Sequence, residues 1–126
     1  MPDGSTGLIF HDDDGKQRVA LGVLPNVSGL SLFDKTEKQR VGISTGTDDS
    51  PRLELYDVAG SRRAGLTLSS DGLPTLRFED KGQPRAVLGA TMVDGKRGNA
   101  GAKTASTSSL LLFDRDGSLV FQAPVY

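Results

Sequence analysis

His11 is followed directly by Asp12, Asp13 and Asp14, the one cluster in the chain with the residue types of metal ligation or acid–base chemistry. Successive side chains of a strand point to opposite faces, so His11 and Asp12 do not converge if His11 ends a strand, and the aspartates then read as turn residues. Asp114-Arg115-Asp116-Gly117-Ser118 echoes part of a calcium loop, but the further oxygen ligands and the closing glutamate are missing. Gly95, Gly98 and Gly101 are spaced as Gly-x-x-Gly-x-x-Gly without the Lys-Ser/Thr of a phosphate loop. A single histidine, no cysteine and no Gly-x-Ser-x-Gly elbow leave nucleophilic catalysis little to work with. Neither a cofactor nor a metal is called for, and an enzyme working through a metal at Asp12 to Asp14 is the least supported reading.

Two constellations recur. Aspartate and arginine alternate as Asp12/Arg18, Asp34/Arg40, Asp57/Arg63 and Asp80/Arg85. An aspartate at a strand end can accept hydrogen bonds from turn amides, and an arginine opening the returning strand lies close enough to pair with it. These are expected to be structural turn pairs that fix register; the functional alternative is a row of anion sites. The second constellation is the column His11, Phe33, Tyr56, Glu79 and Phe113, each just before an aspartate. Phe33, Tyr56 and Phe113 are the candidate ligand or interface residues, since aromatics at one level of a sheet either pack against a partner or offer flat faces to sugar rings.

Both constellations belong to a repeat. Leu8-Ile9-Phe10-His11-Asp12 returns as Leu30-Ser31-Leu32-Phe33-Asp34, Leu53-Glu54-Leu55-Tyr56-Asp57, Leu76-Arg77-Phe78-Glu79-Asp80 and Leu110-Leu111-Leu112-Phe113-Asp114. Arg18-Val19-Ala20-Leu21, Arg40-Val41-Gly42-Ile43, Arg63-Ala64-Gly65-Leu66 and Arg85-Ala86-Val87-Leu88 follow the first four copies. Alternation of apolar and variable residues in short runs is the mark of half-buried strands. Asp14-Gly15, Ala59-Gly60, Lys81-Gly82 and Asp116-Gly117 supply turns inside copies; Asp3-Gly4 and Asp71-Gly72, with Pro25, Pro51 and Pro74, separate them. The unit is a β-hairpin of roughly 22 residues, and five units make about ten strands in a meander.

The expected fold is therefore all-β, one domain over residues 1–126, with a flexible Gly/Ser/Thr-rich insertion at 92–109 where the spacing lengthens. One face carries Leu8, Phe10, Val19, Leu21 and their counterparts, the other Ala20, Gly42, Gly65, Thr67, Glu54 and Arg77. A sheet apolar on one side must be covered, and no amphipathic stretch of helical length is present to do it. Closure as a barrel, as a prism of three sheets, or across an oligomer axis are the candidate solutions; we favour the prism or oligomer.

Composition narrows the partners. Fifteen Lys and Arg against 16 Asp and Glu leave a net charge of −1, without the cationic surplus that nucleic acid binding requires. No apolar run approaches the roughly 20 residues of a membrane-spanning helix, and Met1-Pro2-Asp3-Gly4 lacks signal-peptide character. Nucleic acid and membrane contact are not expected, a homo-oligomer is, and a glycan ligand stays open. The compartment is not fixed by the sequence.

The tandem Leu-x-Leu-x-Asp-x-x-Gly-x-x-Arg-Ala-x-Leu units, closing on Phe113-Asp114-Arg115-Asp116-Gly117 and Gln122-Ala123-Pro124, resemble an uncharacterised group of bacterial repeat proteins. The likeness covers nearly the whole chain. Relatives often carry an N-terminal apolar segment and a short helical stalk, which implies the exposed head of a surface-anchored protein. The group has no assigned activity, so the resemblance carries no catalytic residue to this chain. The combined reading is a non-enzymatic structural or interaction module that self-associates; the alternative is a carbohydrate-binding module using Phe33, Tyr56 and Phe113.

Overall fold

The computed structural model describes residues 5–94 and 103–123, of which side chains are described at 5–89 and 110–123. Ten antiparallel strands follow one another in a single meander: β1 (Thr6–His11), β2 (Gln17–Leu24), β3 (Val27–Phe33), β4 (Gln39–Thr45), β5 (Pro51–Tyr56), β6 (Arg62–Leu68), β7 (Pro74–Asp80), β8 (Gln83–Asp94), β9 (Lys103–Phe113) and β10 (Leu119–Ala123). The fold is all-β. There is no helix among the described residues, hence none long and apolar enough to cross a membrane.

Register follows the hydrophobic alternation, because a slip of one residue would turn every leucine to the other face. Leu8 stands opposite Leu21, Leu21 opposite Leu30, and the row continues without a break through Ile43, Leu53, Leu66, Leu76, Leu88 and Leu110 to Ala123. A second row beside it runs from Phe10 through Val19, Leu32, Val41, Leu55, Ala64, Phe78, Ala86 and Leu112 to Phe121.

The sheet is open. Each strand touches only its neighbours in sequence, and no pairing joins β10 to β1 among the described residues. Closure into a barrel within one chain therefore does not occur. Nor is there a second layer among the described residues, and the core is correspondingly small: Val87 and Leu111, paired across β8 and β9, are the only buried apolar side chains described, at 7% and 3% exposure.

The hairpin turns explain the repeat's polar residues. Asp12 N–H donates to Lys16 O, and Gly15 N–H returns to Asp12 O; Asp34, Asp57 and Asp114 close their turns in the same way. The residue before the last turn position is left-handed, with φ of 74° at Gly15 and 61° at Glu37. Glycine takes that conformation freely, whereas an L-residue with a Cβ does so at a cost of about 1–2 kcal/mol.

Pro51 and Pro74 stand at boundaries between hairpins, as the first residues of β5 and β7, a position where a missing N–H is tolerated. One local expectation is corrected. Residues 92–94 and 103–109, expected in a loop, extend β8 and β9 instead, with Met92 opposite Ala105 and Asp94 opposite Lys103. Ser and Thr suit a pleated strand once a partner lies alongside. Residues 95–102 and the Asp3-Gly4 turn lie outside the described residues.

Candidate functional site

The leucine face exposes two rows of apolar side chains along the sheet. Leu8, Leu21, Ile43, Leu53, Leu66 and Leu88 of the first row are all exposed, Leu8 at 59%, and so are Phe10, Leu32, Leu55, Phe78, Leu112 and Phe121 of the second. No charged residue interrupts either row. Toward the outer ends of β1 to β7 the face forms an apolar groove of about 950 Å³, floored by leucines and flanked by Val23, Leu68, Pro51 and Pro74. Soluble monomers rarely expose apolar patches beyond a few hundred Å².

The aromatic column stands on the other face. Phe33, Tyr56 and Phe113 alternate with leucines of the rows just described, so they point away from the leucine face, and each is half-buried. Glu79, in the same column, is only 7% exposed and His11 is exposed. The three aromatics are not brought together: each lies on its own odd-numbered strand, separated from the next by at least one other strand.

At Tyr56 the column meets a charged chain that patterning alone did not reveal. Tyr56 donates its hydroxyl to Glu54 Oε2 at 2.8 Å, and Arg62 reaches Glu54 Oε1 at 2.8 Å. The same guanidinium grips Glu79 with both Nε and Nη2, at 3.1 and 2.9 Å, while Arg77 Nε lies 2.7 Å from Glu79 Oε1. Removal from water would raise the Glu54 pKa, but the hydrogen bonds from Arg62 and Tyr56, with the charges of Arg62 and Arg52, hold it below its ordinary value. Desolvation and the bond to Glu54 push the Tyr56 hydroxyl up to about 12. Arg62 is held protonated more firmly than usual by its bonds to Glu79 and Glu54. Such groups are committed to one another rather than poised for proton transfer. Glu54, Tyr56, Gln39, Ser31 and Ser44 border a second groove, of about 450 Å³, over glycines 22, 29 and 42. Phe33 and Phe113 are not part of its lining.

The structure places each arginine of the repeated pairs in a β-bulge. Register shifts set Arg18, Arg40, Arg63 and Arg85 outside the ladder, one per hairpin. From there Arg18 reaches Asp12 at 3.3 Å, Arg40 reaches Asp34 at 3.5 Å, Arg63 reaches Asp57 at 3.6 Å and Arg85 reaches Asp80 at 3.4 Å. Each also reaches forward into the next hairpin: Arg18 Nε to Phe33 O at 3.1 Å, Arg40 Nε to Tyr56 O at 2.9 Å, Arg63 to Asp80 at 2.8 Å, and Arg85 to Asp114 O. The guanidinium fork, with donors on several sides, permits both contacts at once.

The aspartates are occupied by their own turns. Asp12 Oδ1 accepts from the amides of Asp14 and Lys16, and Asp114 Oδ1 from those of Asp116 and Ser118. Hydrogen bonds from the Thr36 hydroxyl and amide, joined by the Lys38 amide, lower Asp34 to about 2. Asp12 is lowered chiefly by the Lys16 amide, with Arg18 contributing. No group of three or more His, Asp or Glu able to hold a metal occurs among the described residues.

Comparison of the chain with family models and with curated proteins found no match.

Proposed function

We propose that the chain is a non-enzymatic structural module that self-associates through its leucine face, in keeping with the head of a surface-anchored bacterial protein. The observation that carries this reading is the unbroken apolar row from Leu8 to Leu110, exposed at six of its nine positions on an open sheet. Burial of apolar surface is the main force available to hold a fold together. Here the strands are paired along the ladder and the turns are closed, yet many leucines of the face keep between a third and three-fifths of their surface in water. A second apolar face against it supplies what the single layer lacks. Light scattering on a size-exclusion column tests the idea: a multiple of 13.3 kDa is expected, and a stable single-chain mass at micromolar concentration overturns it.

The groove beside Tyr56 favours a second reading, a carbohydrate-binding surface. An aromatic ring next to Glu54, Gln39 and two serines offers both a stacking face and hydrogen-bonding groups. Because this groove lies on the reverse face, self-association and sugar binding are compatible. A glycan array probed with the wild-type chain and with Tyr56→Ala decides it: signal lost in the variant supports the reading, and a blank array for a folded wild type removes it.

A further inference from the structure

We infer that the leucine face is covered by a second copy of this chain turned end for end, about a two-fold axis that runs parallel to the strands between β5 and β6. The inference rests on the self-association proposed above and specifies its geometry.

The two apolar rows differ in profile. The first is nearly uniform in side-chain size, leucine or isoleucine on every strand from β1 to β9. The second rises and falls. Odd strands carry Phe10, Leu32, Leu55, Phe78 and Leu112, whereas β2, β4, β6 and β8 carry Val19, Val41, Ala64 and Ala86. The result is a ridge on every second strand, a repeat of about 10 Å at the usual strand spacing.

Two such surfaces can meet in register or out of it. If each strand lies over the same strand of its partner, the two-fold axis runs across the strands, and with that axis through the second row Phe78 stands at the level of the partner's Phe78 and Ala86 at that of the partner's Ala86. Layers alternate between overfilled and void, and both errors destabilise a packed interior. A two-fold axis along the strands instead lays the first strand over the tenth and the fifth over the sixth. With an even number of strands, every odd strand then faces an even one, and each row faces its own counterpart. Phe78 meets the partner's Val41, Leu32 the partner's Ala86, and Leu112 the partner's Val19. Large opposes small along the row, except at the ends, where Phe10 meets the partner's Phe121.

The area suffices. A ten-strand ladder is about 45 Å long, and three alternate residues span about 20 Å of strand. The resulting band is on the order of 900 Å², against about 800 Å² per partner in a typical stable interface. The third row needed for that width is described from β1 to β7, where Val23, Pro51, Leu68 and Pro74 share it with Thr6, Ser28 and Thr45. An isologous two-fold contact of this kind also closes on itself, so the leucine face is used up in the pair.

The chain has no cysteine, so single thiols introduced in exposed turns give clean spin-label sites away from the apolar face. Asp13→Cys marks the first hairpin turn, and Val58→Cys marks the turn between β5 and β6, beside the proposed axis. In the end-for-end arrangement the two labels at position 58 come within about the 10 Å sheet spacing plus the label arms, while those at position 13 lie about 40 Å apart at opposite ends of the ladder. That pattern, measured by continuous-wave and pulsed electron spin resonance, supports the inference. Similar distances at the two positions, or a longer one at 58, overturn the end-for-end geometry while leaving self-association intact. Absence of coupling at both positions together with a mass of 13.3 kDa removes self-association itself.

Discussion

Arg40 stands in the bulge of β4 and donates its Nε–H to the carbonyl oxygen of Tyr56, 2.9 Å away in the next hairpin. A regular ladder would direct a residue at that position to one face of the sheet and leave it there. The bulge frees it to lie along the strand ends, where it meets Asp34 of its own hairpin and a backbone acceptor of the following one. Repeated at Arg18, Arg63 and Arg85, this device ties a stack of otherwise local hairpins into one sheet. The fifth bulge holds Val120, 62% exposed, where the others hold arginine. Among the described residues, the forward tie thus ends at β10.

Arg40→Ala is expected to cost about 1–2 kcal/mol, because it removes a charge-assisted hydrogen bond and a partly exposed ion pair together. Arg40→Lys should recover only part of the loss, since one ammonium cannot address two acceptors in the guanidinium geometry. Urea titration followed by circular dichroism measures both. Equal stability of Arg40→Ala and wild type would show that the tie contributes nothing.

Much of this arrangement is legible in the sequence. The spacing of Leu8, Leu30, Leu53 and Leu76 reports hairpins because a strand's period of two is imposed by the backbone itself, and Asp-to-Arg spacing reports turns of constant length. Even the shorter Asp80–Arg85 spacing has its reason, a two-residue turn at Lys81-Gly82. The bulges were hidden, since an extra residue on one strand changes pairing without changing composition. Hidden too was the chain from Tyr56 through Glu54, Arg62 and Glu79 to Arg77, which joins three strands and depends on side-chain reach across them. The aromatic column was found, but its half-burial at Phe33, Tyr56 and Phe113 follows from the crowding of the reverse face, which no spacing encodes.

Glu79→Gln tests the hidden cluster. Its carboxylate is buried and receives two guanidinium groups, so the neutral amide leaves Arg62 and Arg77 short of a counter-charge. Both arginines retain access to water, which moderates the penalty, and a loss of about 1–3 kcal/mol is expected. Thermal denaturation reports it. An unchanged midpoint would mean that Glu54 alone anchors Arg62.

Acid should loosen the turns in a defined window. Asp34 titrates at about 2 in the folded chain against an ordinary value of 3.8. A depressed carboxylate stabilises the fold at pH values above its unfolded pKa, and that contribution disappears as pH falls through the folded value. Asp12, Glu37, Asp48, Glu54 and Asp80 are lowered as well and act in the same direction. Stability is therefore expected to decline from about pH 4 toward pH 2. Asp34→Asn keeps one acceptor oxygen for the Thr36 and Lys38 amides while removing a titrating group, so its decline should be shallower. Chemical denaturation at a series of pH values gives the slopes, and parallel curves would exclude Asp34 as a contributor.

A charge placed at the middle of the leucine face should dissociate the assembly. Leu66, on β6, is exposed in the single chain and lies in the first apolar row, beside the proposed axis. In an assembled pair Leu66→Glu would bury a carboxylate from each copy with no cation in either apolar row to meet it, a penalty of about 3–5 kcal/mol per uncompensated charge. In the free chain the same carboxylate remains hydrated, so the equilibrium shifts toward single chains. Thr67→Glu is the matching control, one residue away but on the reverse face, opposite Arg52. Light scattering should then give a mass near 13.3 kDa for Leu66→Glu and the wild-type mass for Thr67→Glu. If Leu66→Glu keeps the assembled mass, the leucine face is not where copies meet; if Thr67→Glu dissociates as well, the reverse face takes part.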